Sequence, residues 1–455
     1  MPYYSLNPAT EALQAEFASL PSADLHDAIA ATTQAQKRWA DWPLPARCEA
    51  LRQVARLLRS REHALACLIS QEMGKLNREA VAELGKCADL ADFYADHAPA
   101  MLADQPVALP SGRGYVSHQP LGTVLGVMPW NYPFWQVFRF AIPALLAGNA
   151  CLLKHAANVP QCAMAIQQLF DDASLPAQTF QTLLLENDDV DRAIAQPTVR
   201  AISFTGSETI GRLVAATAGR YLKKCVLELG GSDPWVVLHD ADLEASADQA
   251  VAARFINAGQ ACTAAKRIIV VPEVADRFVA LLAERIARLT PGDPLDPATR
   301  LAPLARKDLL DKLQRQVDAS VATGAEVILG GKRQPGTGYY FQATLLDQVP
   351  DNAPAYFEEL FGPVAAVIRA QDEADALRLA NDTRYGLGGV VWSRDLERAE
   401  AFARRIESGM AYVNSQLRSN NLLPFGGIKA SGYGRELSEL GIREFTNAKS
   451  IWIRD

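Results

Sequence analysis

Residues suited to metal or disulfide chemistry are few in this chain, and none is arranged for it. The six histidines are scattered, with no H-x3-H or H-E-x-x-H spacing, so no metal site is expected. The seven cysteines are odd in number, widely separated and without a C-x-x-C pair, which argues against a disulfide framework. Long apolar runs are missing too. The longest, residues 140–153, is interrupted by Pro143, Gly148 and Asn149 and is shorter than the ~20 residues a membrane helix needs. Residues 1–21 contain no basic segment leading into an apolar one, so no secretory leader is expected and the cytoplasm is the expected setting. Positive charge is not in excess. With 45 Lys and Arg against 52 Asp and Glu, the net charge is −7, and nucleic acid is not an expected partner.

What is present is a chain of 455 residues, too long for one core, so two or three domains are expected. Residues 24–103 read as helices, with Leu51, Val54, Leu57 and Leu58 at helical spacing. Residues 113–119 suggest a short strand or hairpin arm. From 121 to 229 strands (121–128, 150–154, 180–185, 201–204, 224–229) alternate with helices (134–147, 159–170, 190–196, 209–217), the pattern of βαβ units and a parallel sheet. A second alternating block has strands at 234–238, 266–271, 326–329, 364–368 and 388–392, and helices at 242–257, 273–288, 305–322, 372–381 and 395–406. The join lies near 230–234.

Chemistry concentrates in a few segments. Cys262 follows Gly259-Gln-Ala and precedes a strand, which places its thiol at an exposed turn, the accessible electropositive setting of a reactive thiolate. A bland loop cysteine is the alternative. Glu228 ends a buried strand and is followed by Leu-Gly-Gly. A carboxylate there faces the crevice at the strand's carboxyl end, and burial would raise its pKa toward that of a general base. Asn131 sits between Pro129 and Pro133, which fix the turn, and its amide is suited to hold an oxyanion. Gly206 and Ser207 lie between a strand and a helix, where free N–H groups can receive a phosphate.

The order of these segments is more specific than any one of them. Pro129-Trp-Asn-Tyr-Pro, Lys154, Phe204-Thr-Gly-Ser, Glu228-Leu-Gly-Gly, Gly259-Gln-Ala-Cys, Glu358-Glu-Leu-Phe-Gly-Pro and Pro424-Phe-Gly-Gly-Ile-Lys-Ala-Ser-Gly together resemble the aldehyde dehydrogenase superfamily over nearly the whole chain. The resemblance implies an α/β fold with a Rossmann-like cofactor domain (1–102 and 121–229), an α/β catalytic domain (230–435) and a small β oligomerisation arm (103–120 and 436–455). It implies a homo-dimer or homo-tetramer in which each arm extends a neighbour's sheet. It also implies roles. Cys262 attacks a small-molecule aldehyde, Asn131 holds the oxyanion, and Glu228 activates water to release the acid from a thioester. NAD or NADP is bound by Trp130, Lys154, Gly206, Ser207, Glu359 and Phe361, while Lys429 shapes the rim of the site.

Two departures bear on selectivity. Many NAD-preferring members carry K-P-x-E where this chain has Lys154-His-Ala-Ala157; Ala157 removes the carboxylate that would repel a 2′-phosphate, so use of both cofactors is expected. Arg139, eight residues after Asn131, matches an arginine of succinate-semialdehyde dehydrogenases that can pair with a substrate carboxylate. A second arginine found in some of that class is replaced here by Ile256, for which Arg418 or Ser419 could compensate. Tyr132, Phe134, Trp135 and Phe138 favour instead an apolar tunnel for a general aliphatic or aromatic aldehyde. Other readings are an acylating enzyme that uses coenzyme A, a thiol hydrolase and a non-catalytic binding relative; Glu228 speaks against the first, the lack of a histidine near Cys262 in the sequence against the second, and the joint presence of Cys262, Glu228 and Asn131 against the third.

Overall fold

The computed structural model describes residues 2–454. An antiparallel hairpin, Tyr3–Leu6 with Leu13–Phe17, opens the chain. Four helices follow, Leu25–Ala40, Leu44–Ser60, Glu62–Met73 and Asn77–Met101. In the second, Leu51, Val54, Ala55 and Leu58 form one fully buried stripe, while Arg52, Arg56 and Arg59 on the other face pair with Asp96, Glu49, Asp89 and Asp92. This division of faces is what makes an amphipathic helix dock. Gly74 ends the third helix in the left-handed conformation (φ 81°), its N–H bonded to the Ser70 carbonyl.

The first parallel sheet has the spatial order Gly432–Tyr433, Lys224–Glu228, Val199–Thr205, Thr123–Met128, Ala150–His155, Phe180–Thr182. Only the two-residue edge strand is antiparallel to its neighbour. The order runs outward in both directions from Thr123–Met128. The chain therefore leaves the sheet on opposite sides after Met128 and Thr205, opening a crevice at this switch point. Trp130, Asn131, Gly206 and Ser207 follow those two strand ends, and Lys154 and Glu228 lie at the carboxyl ends of the adjoining strands. The second sheet has seven strands, ordered Glu326–Leu329, Thr344–Asp347, Val364–Arg369, Arg267–Val270, Pro234–Val237, Gly388–Trp392, Met410–Val413. All pair in parallel except the first. Thr344–Asp347 and Met410–Val413 add two strands to those expected from the sequence.

A third sheet joins Thr446–Ile453 to Arg113–Pro120 over eight residues and then to Gln105–Val107. The intervening stretch 436–445, expected to belong to this arm, lies elsewhere. Glu436 is buried, and the Ser438 carbonyl accepts a hydrogen bond of 2.9 Å from the Tyr94 hydroxyl. No helix among the described residues is long and apolar enough to cross a membrane.

Candidate active site

The nucleophile loop is held under backbone strain. The helix Leu243–Phe255 gives way to a single 3-10 turn, Ile256–Gly259, in which Asn257 and Ala258 both adopt left-handed geometry (φ 51° and 52°). Such a pair persists only where the surroundings over-determine it, and here they do. The buried Arg254 guanidinium donates to the carbonyls of Val364, Leu360 and Gly362 at 2.6–2.9 Å. The Asn257 amide donates to the Asn131 carbonyl at 2.8 Å. The Gln260 side chain bonds the Asn257 carbonyl (3.0 Å) and the Ala305 N–H (2.9 Å). Gly259 (φ 75°) passes so close to Gly362 that a Cβ would lie 2.2 Å from its carbonyl oxygen.

This scaffold brings Asn131 to Cys262. Asn131 is buried, and its amide donates 3.0 Å to the Gln260 carbonyl, two residues before the thiol. An amide nitrogen carries two hydrogens, so one remains for an incoming oxygen. The thiol itself departs from expectation. Cys262 lies on a turn as expected, but it is half-buried and lines a cleft of about 530 Å³. Burial pushes its pKa up to about 11, although Arg139 and Lys266 pull it the other way. The resting thiol is therefore protonated. Lys266, which no sequence pattern marked, donates to the carbonyls of Ala261 (3.0 Å) and Cys262 (2.6 Å) and lies 3.2 Å from Glu359.

Glu228 is buried, and neither carboxylate oxygen has a hydrogen-bond partner among the described residues. Burial and the neighbouring Glu436 raise its pKa well above the carboxyl range, against the pull of Arg139 and Arg435. It does not line the cleft; it abuts Gly426, where a Cβ would lie 2.7 Å from its Oε1. The cofactor candidates divide in two. Trp130 and Phe361 meet edge to face (5.8 Å), beside Glu359, which accepts from the Gly231 N–H (3.1 Å). Gly230 is open enough for Glu359 to approach; a Cβ there would lie 2.4 Å from its Oε2. Ser207 is exposed and caps the helix Glu208–Arg220 through a 3.5 Å bond from the Ile210 N–H. The Gly206 N–H donates to the Glu228 carbonyl at 3.0 Å. The Lys154 ammonium, mostly buried, has among the described residues only Asn187 within bonding reach, at 3.4 Å. An aromatic ledge, a carboxylate for ribose hydroxyls, a cation without a counter-charge and a helix N-terminus together fit a dinucleotide.

The substrate candidates are the ones the structure revises most. Arg139 lines the cleft, but its charge is already engaged. It pairs with Glu436, donates to Gln136 (2.7 Å) and stacks 4.3 Å from the Phe425 ring. Arg418 lines the cleft but is exposed, and Ser419, half-buried, accepts a hydrogen bond from Lys86. Phe134 and Phe138 are fully buried and stacked in the core, so of the four aromatic residues only Tyr132 and Trp135 line the cleft. Lys429 sits outside it, paired with Glu407.

Residues 2–451 match the profile of the Aldehyde dehydrogenase family. The chain belongs to that family. Among its relatives, this aldehyde dehydrogenase is 45% identical over 450 residues to a succinate-semialdehyde dehydrogenase [NADP(+)] of Deinococcus radiodurans, covering 99% of this chain and 94% of the other. It is 42% identical to a succinate semialdehyde dehydrogenase [NAD(P)+] of Escherichia coli, with 98% and 97% covered. A crystal structure of the succinic semialdehyde dehydrogenase of Streptococcus pyogenes with NADP+ superposes with a TM-score of 0.97 at 38% identity, over the full length of both chains.

Proposed function

We propose that this aldehyde dehydrogenase oxidises succinate semialdehyde to succinate with NADP or NAD, through a thioester on Cys262. The observation that carries the reading is the Asn131 amide bonded to the Gln260 carbonyl beside Cys262, which lines the cleft. The Cys262 thiol gives its proton to water and its sulfur attacks the aldehyde carbon. The carbonyl electron pair moves to oxygen, where the free N–H of Asn131 and the Cys262 backbone N–H receive it. When bound, the nicotinamide supplies the acceptor for the hydride that leaves this carbon. Glu228 turns toward the cleft, where it gives up its own proton to solvent, and as the carboxylate takes a proton from water, whose oxygen displaces the sulfur and frees the acid. Trp130, Phe361 and Glu359 would hold the nicotinamide half, and Ser207, Gly206 and Lys154 the phosphates and adenosine ribose. In this reading residues 1–102 and 121–229 form the cofactor unit and 230–435 the catalytic one. Ala157 supports use of NADP as well as NAD.

The same reading makes the protein a dimer or tetramer. The edge strand Glu326–Leu329 exposes Val327 and Ile328, and an open apolar edge of this kind invites another strand. The arm strand Thr446–Ile453 of a second copy is the proposed occupant. Seven free cysteines support a reducing, cytoplasmic setting. The test is cofactor reduction across an aldehyde panel, with each cofactor, with and without coenzyme A. We expect kcat/KM for succinate semialdehyde to exceed that for butanal by at least about tenfold, one charge-assisted contact, without dependence on coenzyme A. A preference for butanal or benzaldehyde would overturn the substrate; an NAD preference above about a thousandfold, roughly 4 kcal/mol, would overturn the cofactor reading.

A further inference from the structure

The charges around the cleft do not cancel evenly. Glu83 uses one oxygen to accept the N–H groups of Phe134 and Trp135, both at 2.9 Å, and the other to pair with Lys75. Glu79 accepts from the Asn257 N–H (3.1 Å), and burial raises its pKa. Arg139 already has Glu436 as its ion-pair partner. Arg78 and Arg418 are exposed, where water screens them. One cation is left. Lys86 is half-buried, lines the same cleft as Cys262 and lies 4.0 Å from the centre of the Trp135 ring. Among the described residues it makes no ion pair; its hydrogen-bond partner is the Ser419 hydroxyl.

That bond has a direction. An ammonium can only donate, so Ser419 accepts through its oxygen and its own O–H is left to point elsewhere. Lys86 keeps two further N–H groups. Together they offer three donors and one uncompensated positive charge to whatever enters the cleft. Building on the proposed substrate, we infer that Lys86, with the Ser419 hydroxyl, receives the carboxylate of the aldehyde substrate, and that Lys86 rather than Arg139 sets the preference for an acidic aldehyde. Arg139 instead shapes the floor of the cleft through Glu436 and Phe425. The groups facing Lys86 are Arg139, Glu83, Cys87 and Cys262, and burial with Arg139 lowers its pKa to about 8. A carboxylate would therefore bind less well as pH rises past that value.

The experiment compares wild type, Lys86→Met and Lys86→Arg by the ratio of kcat/KM for succinate semialdehyde to that for butanal. Lys86→Met should lower the ratio about tenfold to a hundredfold, the range of a lost charge-assisted hydrogen bond. Lys86→Arg should restore much of it. In wild type, KM for succinate semialdehyde should climb above about pH 8 while KM for butanal does not, and Lys86→Arg should move that rise to higher pH. An unchanged ratio in Lys86→Met, in a wild type that discriminates, overturns the role of Lys86 and leaves the substrate standing. If wild type prefers another acidic aldehyde, such as 4-carboxybenzaldehyde, the substrate falls, and Lys86 stands only if its replacement by Met removes that preference. A wild type that favours no acidic aldehyde overturns both.

Discussion

At the scale of single residues, burial favours the neutral form of both reacting groups. The Cys262 thiol and the Glu228 carboxyl are each pushed upward by desolvation, and Glu228 also by Glu436. A buried acid of this kind costs stability as pH rises. Unfolded, it ionises at about pH 4.3; folded, it retains its proton, so the unfolded state binds fewer protons and stability declines from there until the raised folded pKa is passed, by at most about 1.4 kcal/mol per pH unit. Glu228→Gln removes this penalty. Its melting temperature relative to wild type should rise as pH climbs above the unfolded pKa of about 4.3, and a constant difference would count against a raised pKa at Glu228. The same variant should retain a burst of reduced cofactor but lose steady turnover, since only water activation is removed. Cys262, Glu228 and Asn131 were legible as candidates from their motifs. The engagement of Arg139 by Glu436 was not, because the two lie 297 positions apart and each alone looks like an ordinary charge.

Among the elements, the helix Trp135–Leu146 carries Trp135, Gln136 and Arg139 to the wall of the cleft. Its own side chains provide no cap. The cap comes from Glu83 on the helix Asn77–Met101, whose carboxylate accepts the N–H groups of Phe134 and Trp135 and so meets both the unpaired donors and the positive end of the helix dipole. Glu83→Ala would orphan those donors and leave the fully buried Lys75 without a counter-charge. A loss of about 3–5 kcal/mol is expected, seen as a lower thermal midpoint and midpoint in urea. Glu83→Gln keeps an acceptor and should lose less; equal losses would show that charge is not what matters. The apolar period predicted this helix to within a residue or two, whereas a cap from 51 residues away leaves no local trace.

For the whole molecule, the open question is assembly. If the arm strand pairs with the edge strand of another copy, removal of residues 446–455 should reduce the particle to a monomer in light scattering. Val327→Lys with Ile328→Lys, which blocks the accepting edge by placing charge on it, should do the same without touching the arm. An oligomer that survives both changes does not use this edge.

The sequence by itself determined the two α/β units and the succession of strands and helices, because each element's apolar period is local. It also determined which residues could form a nucleophile, a base and an oxyanion donor, because their motifs are contiguous. Tertiary structure alone decided what state those groups rest in and which cation remains free. Burial raises Cys262 and Glu228, Glu436 pairs with Arg139 across the fold, and Lys75 occupies Glu83. Charge compensation is a property of neighbours in space, and it moved the question of substrate preference from Arg139 to Lys86.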